Sequence, residues 1–338
     1  PGTYVQTAQL VIDKDLTLKG SGKTLTTIEP GFNTTTGSYL ISNALVYVDY
    51  GVTAIIEDIA IDGTGYTVKH GIQSRGADLT VRDCDIRDIY AGTYSGRGIV
   101  FLTGTGLVED CEMSNIQRIG IHIRGNVEPV APDVDVTGFT YTGKGAGDWL
   151  DYGVEFGGGG KGSVDDSDFS DCLGVASTDN STSAGVLVTD FYGTITDAEI
   201  MNSTFNNCSA GISVGYAPTD ASLCTAYHNS FLGAGLGIDQ VGVTTVDAEQ
   251  NYWGTIVGAE IAPKVVGDVD YIPWCNSDFT VCDYGAGGGP APVTTIADVS
   301  IECPDDAIAV PVTVTGFNNV GAISLVLLYD HTNISMTS

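Results

Sequence analysis

The sequence predicts an all-β chain wound as a parallel β-helix, a solenoid of roughly nine short coils. Three observations carry that prediction. The first is a repeated segment: "VRDCDI" at 81–86 returns as "VEDCEM" at 108–113, "VDDSDF" at 164–169, "IMNSTF" at 200–205, "AYHNSF" at 226–231 and "AEQNYW" at 248–253. The second is a glycine followed by alternating apolar residues, "GIQS" at 71, "GIVF" at 98, "GIHI" at 120, "GVEF" at 153, "GVLV" at 185, "GISV" at 211 and "GIDQ" at 237, in steps of 27, 22, 33, 32, 26 and 26. The third is composition: 45 glycines, abundant Thr, Ser, Asp and Asn, and no long helical pattern.

Each element follows from that period. It is too short for a helix plus two strands but fits short strands joined by sharp turns. One coil cannot bury its apolar face alone, so successive coils must stack, about 4.8 Å apart. The steps of 33 and 32 read as loops extruded from otherwise similar coils. Stacking turns equivalent positions into columns. Ile86, Met113, Phe169, Phe205, Phe231 and Trp253 form an interior apolar column. Asp83, Asp110, Asp166 and Asn202 form a second, and Asp88, Asn115, Asp171 and Asn207 a third. Asp and Asn tolerate the left-handed backbone and bond their own turn, so these columns are expected to be corners. Cys84 and Cys111 occupy the slot of Ser167 and Ser203, and Cys172 and Cys208 that of Ile89 and Ile116. They are expected to be buried free thiols, because side chains pointing the same way suit the disulfide dihedral poorly. Cys275 and Cys282, in the loop-like "PWCNSDFTVC", are expected to pair with each other; Cys224 and Cys303 are left open.

The 338 residues carry 13 basic and 42 acidic side chains, a net charge of −29. Such a field repels nucleic acid and anionic membranes and favours cations. No apolar run is long enough to span a membrane. The cysteines form no CxxC-type pairs, which argues against zinc. Hard oxygen ligands at acidic corners suit Ca²⁺, so Asp83, Asp110 and Asp166 are candidate metal residues, with no metal required. Acidity and β-structure favour an extracellular or cell-surface location.

"NYWGT" at 251–255, followed by "VVGDVDYIPWC" at 265–275, resembles the last coils of right-handed parallel β-helices of bacterial surface proteins, the pectate-lyase-like superfamily in the broad sense. The opening "PGTYV", with "LVIDKDLTLKGSG", is similar to their first coil. The resemblance spans roughly residues 1–275 and implies fold more than activity, since the superfamily holds lyases, hydrolases, epimerases, adhesins and inert stalks. After the Gly/Pro-rich "DYGAGGGPAP" at 283–292, "ADVSIECPDDAIAVPVTVTGFNNVGAISLVLLYDHTNIS" resembles the first strands of a cohesin-like β-sandwich. The expected domains are therefore a β-helix over 1–282, a linker over 283–295 and an incomplete sandwich over 296–338. Both ends read as cut, so the chain is expected to be a piece of a longer multi-modular protein. The apolar strands at 309–317 and 321–329 offer a route to self-association.

The resemblance implies that any active site lies on the outer face of one sheet. The outward positions of the Gly-led strands are Gln73, Val100, His122, Glu155, Leu187, Ser213 and Asp239. His122, Arg124 and Glu155, with Asp151 nearby, are the candidate acid–base set, with His122 expected as a surface histidine. Lyases of this fold use Arg or Lys beside a Ca²⁺-bound uronate, and hydrolases use clustered Asp. Neither the ordered Asn-Thr-Asp, Asp-Asp, Gly-His-Gly and Arg-Ile-Lys set of polygalacturonases nor the Arg-containing signature of pectate lyases is present. Trp149, in "GKGAGDWLDYG" at 143–153, is the aromatic best placed to touch a ligand; Trp253 and Trp274 are assigned to end packing. The expected role is that of a non-catalytic structural or adhesive surface element. The alternatives are a polysaccharide lyase or hydrolase and a carbohydrate-binding module, with cell-surface or plant-type polysaccharide as the partner.

Overall fold

The computed structural model describes residues 1–35, 43–233 and 235–285, and the backbone of the strands Val293–Ile296 and Val312–Thr315. By contact the chain divides into Pro1–Cys282 and Asp283–Ser338. The first unit is three parallel sheets of nine, ten and ten strands, and neighbours within a sheet are three strands apart in chain order except at the C-terminal end, where two sheets step by two. Each coil therefore gives one strand to each sheet, which is the β-helix expected from the repeat. In the second unit the two strands pair antiparallel; the rest of 296–338, including most of the proposed sandwich strands and Cys303, lies outside the described residues.

The first sheet carries the interior column in register, Ile86 against Met113 and Phe169 against Phe205 and Phe231. The Phe169, Phe205 and Phe231 rings stack at 5.1 and 5.3 Å, and Trp253 closes the stack 4.7 Å from Phe231. From His70–Ser74 to Leu236–Gln240, the glycine of each second-sheet strand faces this column. A Cβ at Gly153 would sit 2.4 Å from Phe169, and one at Gly185 2.5 Å from Phe205. That close approach is why glycine recurs once per coil.

The repeat holds one more copy than its sequence motif reveals. Tyr141 stands between Met113 and Phe169, in a coil whose "VTGFTY" at 136–141 replaces the corner aspartate by Gly138. Gly138 has φ 61°, beside 52° at Asp110 and 47° at Asp166. The step of 33 thus contains a full coil turn. The second corner is left-handed too, with φ 57° at Asp88, 51° at Asn115, 57° at Asp171 and 56° at Asn207. Both acidic columns are corners, as their residue types require.

Inside the first corner the small-residue slot becomes a polar ladder. Backbone amides of Ser167, Ser203 and Asn229 donate to the side chains of Ser203 (3.2 Å), Asn229 (3.0 Å) and Asn251 (2.8 Å) of the next coil. Cys84, Cys111, Cys172, Cys208 and Cys224 are buried and free. A short cap at Gly258–Ile261 and Ala262–Lys264 follows Trp253, whose carbonyl accepts from Lys264 Nζ at 2.7 Å. Cys275 and Cys282 are joined by a disulfide. Among the described residues no helix is long and apolar enough to cross a membrane.

Candidate functional site

The outer positions of the second sheet form the expected column: Gln73 pairs with Val100, Val100 with His122, His122 with Glu155, and Glu155 with Leu187. Exposure follows only at the far end, where Leu187, Ser213 and Asp239 are half-buried. Strands Ala44–Val48, His70–Ser74, Arg97–Phe101 and Tyr152–Gly157 are buried at every position. His122 is 0% and Glu155 1% exposed. The expected surface histidine is therefore a sealed one, because later loops fold over this face.

The cover is built around Tyr192, in the loop after Ala184–Thr189. Its hydroxyl donates to Glu155 Oε1 at 2.8 Å, and its ring lies 3.5 Å from the Arg124 guanidinium carbon and 5.7 Å from the His122 ring. Gly157 makes room for it, since a Cβ there would come within 2.7 Å of the ring. Below, Arg97 Nε donates to His122 Nδ1 at 3.0 Å. An accepting Nδ1 places the imidazole proton on Nε2, which lies 3.3 Å from Glu155 Oε1. Two coils before His122, His70 Nδ1 is 2.8 Å from Gln73 Oε1 on its own strand.

Electrostatics fix the charge states. Burial, assisted by Arg97 and Arg124 and opposed by Glu155, lowers His122 to about 4. Burial alone would raise Glu155, but His122, Arg118 and the Tyr192 hydroxyl outweigh it and hold the carboxyl at about 2. At neutral pH the pair is therefore imidazole and carboxylate. Glu155 carries no proton to donate, and His122 has one nitrogen committed to Arg97 and the other turned to Glu155. General acid–base work draws on a group poised near the working pH and reachable by substrate; here both groups are buried and held well below neutrality.

Of the candidate set, the structure brings His122, Arg124 and Glu155 together and leaves Asp151 elsewhere. Asp151 is fully buried, ion-paired to Lys144 and 3.4 Å from the Tyr141 hydroxyl. Burial raises its pKa, with Lys144 opposing. Trp149 also departs from expectation. It is half-buried, donates to Gly145 O at 3.1 Å and packs on Gly147 and Gly174, so it holds the loop together. Exposed rings stand elsewhere: Tyr50, Phe191 and Tyr216. Asp83, Asp110 and Asp166 sit at corners, and among the described residues no group of three or more His, Cys, Asp or Glu is placed to hold a metal ion.

Sequence reasoning missed Arg97, Arg118 and Tyr192. One signal was legible for the first two: all six arginines fall between positions 75 and 124, in a chain of net charge −29. Nothing in the sequence marks Tyr192 as a cover.

A family model described as the right-handed β-helix region matches residues 70–252, more than half of the chain. No curated protein and no solved structure gives a match. The matched segment runs from the strand bearing His70 to the coil that ends the aromatic stack, and it contains the whole His122–Glu155 cluster. With its three parallel sheets and one strand per coil in each, the chain belongs to the right-handed β-helix family.

Proposed function

We propose that this chain is a non-catalytic structural or adhesive solenoid of an extracellular or cell-surface protein. One observation carries the reading: the stretch of the outer column that holds the candidate acid–base residues is sealed, with His122 and Glu155 at 0% and 1% exposure under the Tyr192 loop, while Leu187, Ser213 and Asp239 beyond it are half-buried. A stacked solenoid with filled faces supplies a stiff rod at little cost in sequence information. The Cys275–Cys282 disulfide and the net charge of −29 support an oxidising, solvent-rich surroundings. In the same reading residues 283–338 serve display or self-association through a cohesin-like module.

A second reading, a polysaccharide lyase, is favoured by Arg97, Arg118 and Arg124 gathered around the cluster of His122, Glu155 and Tyr192. Guanidinium groups are the usual partners of uronate carboxylates, and Ca²⁺ would assist there. One assay separates the two. Polygalacturonate, alginate, xylan and cellulose are incubated with the chain, with and without Ca²⁺, and released oligosaccharide is measured. The structural reading expects none. Release that is lost in Glu155→Gln would overturn it.

A further inference from the structure

A groove of about 610 Å³ crosses four successive coils at the second corner, far in sequence from the Tyr192 loop. Its lining includes the Asp88–Asn115 pair of the left-handed corner, where the Asn115 amide donates to Asp88. The turn at 63–67, Asn33, Tyr90 and Gln117 complete its lining. Tyr66 and Tyr90 stand on adjacent coils at 40% and 51% exposure. No basic residue lines the groove among the described residues, and its single formal charge is the Asp88 carboxylate.

The walls are fixed before any ligand arrives. Thr64 donates both its amide (2.9 Å) and its hydroxyl (2.6 Å) to Asp62 Oδ1. The Thr67 amide donates to Asn33 Oδ1 at 2.8 Å, and Val68 N to Tyr90 O at 2.8 Å ties the turn to the next coil. Gln117 Nε2 donates to Thr93 O at 2.6 Å. Asn33 Nδ2, Gln117 Oε1 and Asp88 Oδ2 take no part in these bonds. The groove thus presents two exposed amphipathic rings, planar amide donors and acceptors, and one carboxylate, on a backbone already held by its own hydrogen bonds.

We propose that this groove binds a neutral oligosaccharide. Vicinal hydroxyls pair with the amide and carboxylate atoms, and the apolar face of a pyranose packs on a tyrosine ring, the mix of aromatic surface and few placed polar groups that small-molecule sites use. Acidic sugars are disfavoured: Asp88 and the net charge of −29 both repel them. The inference rests on the adhesive reading above and names the chemistry of its partner and the place of contact.

The test is calorimetric titration of the chain with cellohexaose, xylohexaose, mannohexaose and hexagalacturonate. At least one neutral hexasaccharide is expected to bind, and hexagalacturonate more weakly by roughly tenfold or more. Tyr66→Ala and Tyr90→Ala are each expected to weaken binding by roughly tenfold, the scale of one lost aromatic contact. Tyr90→Phe is expected to stay close to the parent, and far-UV circular dichroism to stay unchanged throughout. The proposal is overturned if no neutral hexasaccharide binds, or if binding survives the Tyr66→Ala/Tyr90→Ala double variant. Failure here leaves the sealed outer face of the second sheet untouched, and glycan release in the depolymerisation assay leaves the groove untouched.

Discussion

The Tyr192 hydroxyl donates to Glu155 Oε1 at 2.8 Å, across 37 residues of chain. That bond adds to what His122 and Arg118 do to keep a buried carboxylate charged. Desolvation pushes Glu155 towards the protonated form, and His122, Arg118 and the phenol together push it further the other way. It also explains the sealing. The loop that supplies the phenol lays its ring over Arg124, against Gly157. A β-helix face that could have been a cleft is thereby a closed polar layer.

The first prediction concerns that layer. Tyr192→Phe removes the donor to an ionised group and should cost about 1–3 kcal/mol. Tyr192→Ala also removes the ring over Arg124 and should cost more. Denaturant midpoints rank them; a long solenoid need not unfold in two states, so midpoints are safer than extrapolated free energies.

A second prediction is the acid response. His122 is held near 4 when folded, below the ordinary 6.5. The unfolded chain therefore binds a proton that the folded chain refuses, and stability falls as pH drops from about 6.5 to about 4, by up to about 3 kcal/mol. Glu155, lowered from 4.5 to about 2, adds a loss of the same sign between those two values. Melting temperature measured from pH 7 to pH 4 should fall more steeply for the parent than for His122→Gln. Equal slopes would show that His122 titrates freely in the fold.

Third, the aromatic stack should be the costliest place to cut. Phe205 is 1% exposed and stacks between Phe169 and Phe231 at 5.1 and 5.3 Å. Phe205→Ala should lose about 3–5 kcal/mol. An unchanged urea midpoint would show that the column carries no packing energy.

A fourth prediction follows from Gly138 standing in the aspartate corner. If backbone conformation alone selects that column, Asp166→Gly should stay within about 1 kcal/mol of the parent. Asp166→Val, forced to hold φ 47°, should cost about 2 kcal/mol. The reverse order in thermal midpoints would mean that the carboxylate itself matters.

The coils were legible because stacking repeats each demand once per turn. Gly71, Gly98 and Gly120 recur because aliphatic side chains and rings crowd the same spot, and Asp83 and Asp110 because the corner is left-handed. The coil around Tyr141 was not legible, since Gly138 satisfies the corner without an acidic side chain and Phe139 replaces the cysteine. The candidate column was also legible: His122 and Glu155 are neighbours because the period says so. Its burial was not. Tyr192 lies 37 residues beyond Glu155 in an irregular loop, and no periodicity reports where such a loop lands. The same gap misplaced Asp151 and Trp149, whose roles are set by Lys144 and by the folding of their own insertion.

The most direct measurement of the sealed face is histidine carbethoxylation of the native chain by diethyl pyrocarbonate, mapped by mass spectrometry. His228 is half-buried at a corner, whereas His70 and His122 are fully buried. The account predicts labelling of His228 at native pH, with His70 and His122 silent until the chain is denatured. Labelling of His122 in the native protein at the rate of His228 would contradict it, because it would mean that the outer face is open to reagents and so to substrate.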